Sequence, residues 1–94
     1  MARTKFLFGN WKMNHLISET KKFASEVGAA VTLAKEKNIE IGVAPSFLSL
    51  QTMAEANTGL IIASQDVHFS PSGAFTGFVS IPMIKELGIN WTIL

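Results

Sequence analysis

Asn10, Trp11 and Lys12 follow the apolar run Phe6-Leu7-Phe8 with only Gly9 between them. An amide and an ammonium two residues apart can grip a phosphate or steady a developing oxyanion, one by hydrogen bonding and the other by charge. If Phe6 to Lys12 is extended, side chains alternate. Asn10 and Lys12 then share a face with Phe6 and Phe8, while Leu7 and Trp11 take the other. A face that begins apolar and ends cationic suits a parallel strand whose carboxyl end opens into a site. The same residues also describe a strand that ends in a solvated turn, with Lys12 simply exposed.

Other groups able to do chemistry are sparse. There is no cysteine, which excludes disulfides, thiolate metal sites and thiol nucleophiles. His15 and His68 lie too far apart to show a metal-ligand spacing, and each reads as a surface or loop histidine. Glu19, Glu26, Glu36 and Glu86 fall on expected helices and Glu55 near a helix end. Asp66 lies at a strand's carboxyl end, where a turn-capping role suits it. Gln65 beside it reads either as a brace beneath neighbouring loops or as an ordinary loop-capping amide.

The elements that must position these residues alternate. After the opening strand, Ser18 stands as an N-cap with Glu19 in the first turn. Phe23, Val27, Ala30 and Ala34 recur at helical offsets and predict one amphipathic helix, with Gly28 inside it as a mark of close packing and Asn38 as its stop. Ile39 to Ala44 reads as a second strand closed by Pro45. Ser46 caps a helix with the stripe Phe47, Leu48, Leu50, Met53 and Ala54, stopped at Asn57-Thr58-Gly59. Leu60 to Ala63 is a third strand, apolar throughout and so expected to be buried on both faces.

Residues 66 to 78 then form a loop too long to be a mere connection. Ser80 caps a short helix with Pro82 in its first turn, Met83, Ile84 and Leu87 on one face and Gly88 as terminator. Ile89 to Leu94 begins a fourth strand. Strand and helix in strict alternation predict right-handed βαβ crossovers onto a parallel sheet. The last strand has no closing turn or blunted edge, so the expectation is that residues 1–94 are a single partial domain of something larger.

Composition agrees. Charged residues make up 16% against the usual quarter, and hydrophobic ones 48%, more than 94 residues readily bury unaided. A net charge of +1 without a basic run argues against nucleic acid as a partner. Arg3 and Lys5 before Phe6-Leu7-Phe8 fall short of a secretory signal, and no apolar run is long enough to span a membrane. A soluble, cytoplasmic protein is the expectation.

Phe8-Gly9-Asn10-Trp11-Lys12-Met13-Asn14 resembles the first-strand signature of the triosephosphate isomerase family. Ala63-Ser64-Gln65-Asp66 and Gly73-Ala74-Phe75-Thr76-Gly77 resemble its third strand end and the tip of its third βα-loop. The resemblance implies an α/β fold, the amino-terminal part of a (β/α)8 TIM barrel with three βα units and the start of strand four. It implies interconversion of dihydroxyacetone phosphate and D-glyceraldehyde 3-phosphate through an enediolate, in glycolysis and gluconeogenesis, with no cofactor and no metal. Asn10 and Lys12 would be catalytic and, with the backbone of Trp11, substrate-binding; the Trp11 side chain would pack inward. Phe75, Thr76, Gly77 and Asn14 would lie at the interface of a homodimer, the alternative for Phe75 being an anchor within its own subunit.

The family's histidine, in a G-H-S-E-R segment after strand four, its glutamate base and its phosphate-cradling glycines fall outside these 94 residues. The family is itself a standard case of a carboxylate base working with a neutral imidazole. Residues 1–94 alone are therefore expected to be inactive. Two other readings stand beside this one. One is a non-enzymatic half-barrel-like module that self-associates through its open sheet edges. The other is a flavodoxin-like phosphate binder, which the lack of a Gly-rich loop after strand one disfavours.

Overall fold

The computed structural model describes residues 3–94. Four strands, β1 (Lys5–Asn10), β2 (Ile39–Ala44), β3 (Ile61–Ser64) and β4 (Trp91–Thr92), form one parallel sheet in the order β1-β2-β3-β4. Four helices connect them: α1 (Ile17–Glu26), α2 (Gly28–Glu36), α3 (Phe47–Glu55) and α4 (Ile81–Glu86). Sequential strands lying side by side and parallel, each pair bridged by helix, are what the alternating pattern demands.

The helices cover one face. Val27 and Val31 from the first connection, Val43 from β2, Met53 from α3 and Leu60 before β3 bury together with Trp11, and Phe23, Ala24 and Ile41 pack around them. A second cluster joins Leu50 of α3 to Ile84 of α4 and Ile89, and half-buried Ile62 touches both. Between α1 and α3 the contact is polar: Thr20 and Ser49 are fully buried with their hydroxyl oxygens 2.9 Å apart. Thr20 Oγ1 donates to the Leu16 carbonyl, so Ser49 is the donor between them. Thr20→Val removes the acceptor and leaves a hydroxyl buried without a partner. The expected loss is about 1–3 kcal/mol in a denaturant titration, partly recovered when Ser49→Ala is added.

The first connection differs from the single helix expected of it. At Val27 the chain ends α1 and begins α2, and Gly28 is the first residue of the second helix rather than a packing point, since a Cβ there would meet nothing within 4 Å. The break turns the apolar stripe, so Ala30 is exposed while Val31 and Ala34 are buried. The start also shifts: Leu16, not Ser18, is the N-cap residue, and Glu19 Oε1 accepts from the Leu16 amide at 2.9 Å. Asn38 and Gly88 do end their helices in the left-handed region, at φ 56° and 82°.

Three further expectations shift in detail. In α3, Leu50 and Met53 are buried but Leu48 is exposed, and in α4 Met83 is exposed beside buried Ile84. β3 runs one residue later than expected and buries Ala63 and Ser64, whereas Ile61 and Ile62 are half-buried. β4 pairs only through Trp91 and Thr92, extended by the Ile93 amide donating to Ser64 O.

The sheet's other face carries no helix. Phe6 and Phe8 of β1 meet Trp91 of β4, with ring centroids 6.2 and 5.7 Å apart. These are the two outer strands, which in a flat sheet would stand about 14 Å apart. The sheet is therefore curled, with its bare face concave. Gly42 of β2 allows this closeness, because the Phe8 ring lies where a Cβ on Gly42 would fall.

Candidate functional site

The carboxyl ends of β1, β2 and β3 converge on Lys12. β1 stops at Asn10, so the expected extension to Lys12 does not hold, and Lys12 takes a left-handed backbone at φ 56°. The alternation that would have put Asn10 and Lys12 on one face ends with the strand. What replaces it is a set of hydrogen bonds. Asn10 Oδ1 accepts from the Lys12 amide at 3.0 Å, a side chain closing a turn over its own backbone.

Immediately after β3, Gln65 Nε2 donates to Lys12 O at 2.8 Å and to Ala44 O, at the end of β2, at 2.9 Å. The Trp11 amide donates to the same Ala44 carbonyl. One amide side chain thus ties three strand ends together. Of the two readings of Gln65, the brace is the one observed. Asp66 makes no hydrogen bond among the described residues, so its expected capping role is not seen.

Non-glycine residues held at positive φ carry a backbone cost and tend to persist where neighbours over-determine them. Here that over-determination comes from Asn10 on one side of Lys12 and Gln65 on the other. The Lys12 side chain is exposed, so its ammonium remains hydrated and free to meet an anion. Asn14 Nδ2 donates to Trp11 O at 2.9 Å, holding the turn that follows.

The Trp11 side chain lies in the core, edge-on to Phe23 at 5.2 Å and to His15 at 4.6 Å. Only its backbone is on the Lys12 side of the turn. His15, with φ 73°, is a turn residue against that indole. Among the described residues no cluster of His, Asp or Glu has the makings of a metal site, and no helix is long and apolar enough to cross a membrane.

The loop after β3 is built around His68. Its amide donates to Val79 O at 2.7 Å, closing the loop's base, and its ring packs on Phe69, Phe75 and Phe78 with centroids 4.6, 4.1 and 5.2 Å away. Nδ1 accepts from the Ser70 amide, which makes it the unprotonated nitrogen. His68 is thus a loop histidine, as expected, and the half-buried hub of that loop. The signal available in sequence was the set of three phenylalanines within ten residues of it.

Phe75 packs against this hub in its own chain and remains 45% exposed. Thr76 and Gly77 form the exposed tip, with Gly77 at φ 88°. No hydrogen bond or ring contact among the described residues joins Phe75, Thr76 or Gly77 to Asn10, Lys12 or Asn14. The structure brings Asn10, Lys12, Asn14 and Gln65 together and leaves the loop tip apart.

The family model for triosephosphate isomerase matches residues 5–94. Over 94 aligned residues the chain is 43% identical to a triosephosphate isomerase of Clostridium acetobutylicum, covering 98% of this chain and 37% of that one. It is 38% identical to the triosephosphate isomerase of Chlamydia felis, covering 100% and 38% of the two chains. With that of Mycoplasma mobile the identity is again 38%, covering 98% and 40%. The chain thus spans less than half the length of these curated relatives.

Proposed function

The chain belongs to the triosephosphate isomerase family, and from that membership we propose that its residues form the first wall of a site that interconverts dihydroxyacetone phosphate and D-glyceraldehyde 3-phosphate. The observation that carries this reading is the Lys12 turn. A backbone fixed by Asn10 and Gln65 in a left-handed conformation presents an unpaired ammonium at the carboxyl ends of a parallel sheet.

There the ammonium attracts the substrate phosphate and neutralises charge on the enediolate oxygen as it develops. A donor already in place needs no reorganisation when that charge appears. Asn10 is committed through Oδ1 to the Lys12 amide, which leaves its Nδ2 to orient substrate. Trp11 contributes backbone only, its indole being part of the core. No metal or organic cofactor enters this chemistry.

The partner in this reading is a second subunit in a homodimer, reached through Phe75, Thr76, Gly77 and Asn14. Phe69, Phe75 and Phe78 are all exposed on the loop, and Met13, Leu16 and Leu48 expose apolar surface along a separate groove near the site. A protruding apolar loop and an apolar groove on one chain are the two halves of a twofold contact. Residues 1–94 are then one partial barrel domain, and the cytoplasm, where triose phosphates are made and consumed, is the compartment that goes with it.

A hybrid barrel tests the reading. Residues 1–94 replace the matching segment of the Clostridium acetobutylicum relative. The hybrid is expected to isomerise triose phosphate in a coupled assay, and the isolated 94-residue chain to give no rate above buffer. A folded but inert hybrid, or a fully active isolated chain, overturns it.

A further inference from the structure

Ser64, the last residue of β3, and Thr92 of β4 are register partners with their hydroxyl oxygens 2.8 Å apart, and we propose that this pair positions Lys12, acting through Gln65. Ser64 is fully buried. Its hydroxyl donates to Thr92 Oγ1, and its carbonyl accepts from the Ile93 amide at 3.0 Å. Thr92 Oγ1 lies 3.3 Å from that same carbonyl and 3.4 Å from Ile93 O, so its own proton has an acceptor within reach. Ser64 is thereby tied to β4 through both its side chain and its main chain.

The next residue is Gln65. The peptide group joining the two is planar, so holding the Ser64 carbonyl holds the plane from which Gln65 departs. Trp91 meets Phe6 and Phe8 on the concave face, which puts Thr92 and its partner Ser64 on the helix-covered face and returns Gln65 to the side of the Lys12 turn. There both hydrogens of Nε2 are committed, one to Lys12 O at 2.8 Å and one to Ala44 O at 2.9 Å. A displacement of roughly 0.5 Å takes either bond beyond the usual N–H···O range. The left-handed backbone of Lys12, at φ 56°, persists only while its neighbours hold it. Hydrogen bonds thus run without a gap from β4 through β3 to the end of β2 and the turn after β1.

Packing alone does not call for this pair. Val67, Ile84 and Ile89 line the same hollow as Thr92, and in apolar surroundings two hydroxyls can be exchanged for apolar groups of the same shape with little change in stability. What apolar groups would not supply is direction. The hydroxyl pair fixes the separation of the two strand ends immediately before Gln65, as a fully satisfied polar network does. The consequence for catalysis rests on the isomerase reading of Lys12, whereas the placement of Gln65 is measurable without turnover.

The hybrid barrel tests both. Thr92→Val keeps the shape and removes the hydroxyl, leaving Ser64 Oγ buried without its acceptor. It is expected to lower kcat about tenfold, the equivalent of one hydrogen bond, with KM changed by less than about twofold, because the ammonium is still present to meet the phosphate. Thr92→Ser keeps the hydroxyl and should keep kcat. Ser64→Ala combined with Thr92→Val removes both partners; it should melt close to the unaltered hybrid yet remain slow, and it serves in place of Thr92→Val if the single variant does not fold. Exchange of the Gln65 side-chain amide hydrogens, followed by NMR, reads the positioning itself and should be about tenfold faster in Thr92→Val and in the double variant, and unchanged in Thr92→Ser. If the unaltered hybrid is inert, the isomerase reading fails and this exchange alone decides the inference. Gln65 exchange within about twofold of the unaltered hybrid in the variants lacking the Thr92 hydroxyl, or a double variant that regains kcat along with stability, overturns it.

Discussion

Lys12→Met in the hybrid barrel is expected to lower kcat/KM by about 10²–10³-fold, the usual cost of deleting one preorganised charge-stabilising donor. The methionine keeps length and most of the apolar stem while removing the ammonium. Because that ammonium would serve the phosphate in the bound substrate as well as the oxygen that becomes negative, KM should rise and kcat should fall together. The far-UV spectrum should not change, since the side chain is exposed and the turn is held by Asn10 Oδ1 and Gln65 Nε2 acting on backbone atoms. Arginine is not expected to rescue, because its planar fork needs more room than a point charge and presents its donors elsewhere. Steady-state kinetics on the two variants decide the matter. A change below about twofold in both parameters would make Lys12 a bystander.

The second large effect is on stability. Gly42→Val should cost about 3 kcal/mol, at the upper end for overpacking, which for a domain of this size lowers the melting temperature by roughly 12–24 °C. A Cβ at position 42 would come within 2.5 Å of the Phe8 ring and 2.7 Å of the Ile61 carbonyl oxygen. The two clashes are of different kinds. The ring can swing into the open concavity, but the carbonyl belongs to the β2–β3 ladder and can move only by breaking register. Phe8→Ala added to Gly42→Val should therefore recover part of the loss and not all. Thermal denaturation measures both, and a single-variant loss under about 0.5 kcal/mol, the range of an ordinary surface change, would mean that the sheet spreads here at little cost.

The order of elements was legible because it rests on strong local signals. Pro45 after Ile39–Ala44, Ser80 before Pro82, and Asn38 and Gly88 at helix ends each specify a backbone conformation, and each stands where expected. The Ser80 hydroxyl accepts from the Met83 amide as a cap should. The break at Val27 was not legible, since a stripe of Val and Ala continues through it and only packing against β2 shows that the face has turned. Nor was the shape of the turn at Lys12. Asn10 and Lys12 stood out by residue type, whereas the interaction that fixes their geometry comes from Gln65, more than fifty positions away, acting on a backbone oxygen. The sequence offered Gln65 as a brace or as a loop-capping amide and could not choose, because the choice rests on main-chain oxygens of Lys12 and Ala44 that lie far from it along the chain.

His68 illustrates the same limit from the other side. Its neighbours Phe69, Phe75 and Phe78 are close in sequence, yet their convergence on one imidazole depends on the loop closing at His68 and Val79. Without that closure the three rings are only scattered apolar residues in a loop.

The two indoles of this chain occupy opposite environments: Trp11 is 9% exposed inside the helical layer and Trp91 is 46% exposed on the bare face of the sheet. They are therefore two fluorophores with separate assignments. Emission from a Trp91→Phe chain reports the loss of the helix-covered core alone, while emission from a Trp11→Phe chain reports what approaches the concave side. Comparing their midpoints separates melting of the layer from opening of the sheet, in a molecule that carries both probes without labelling.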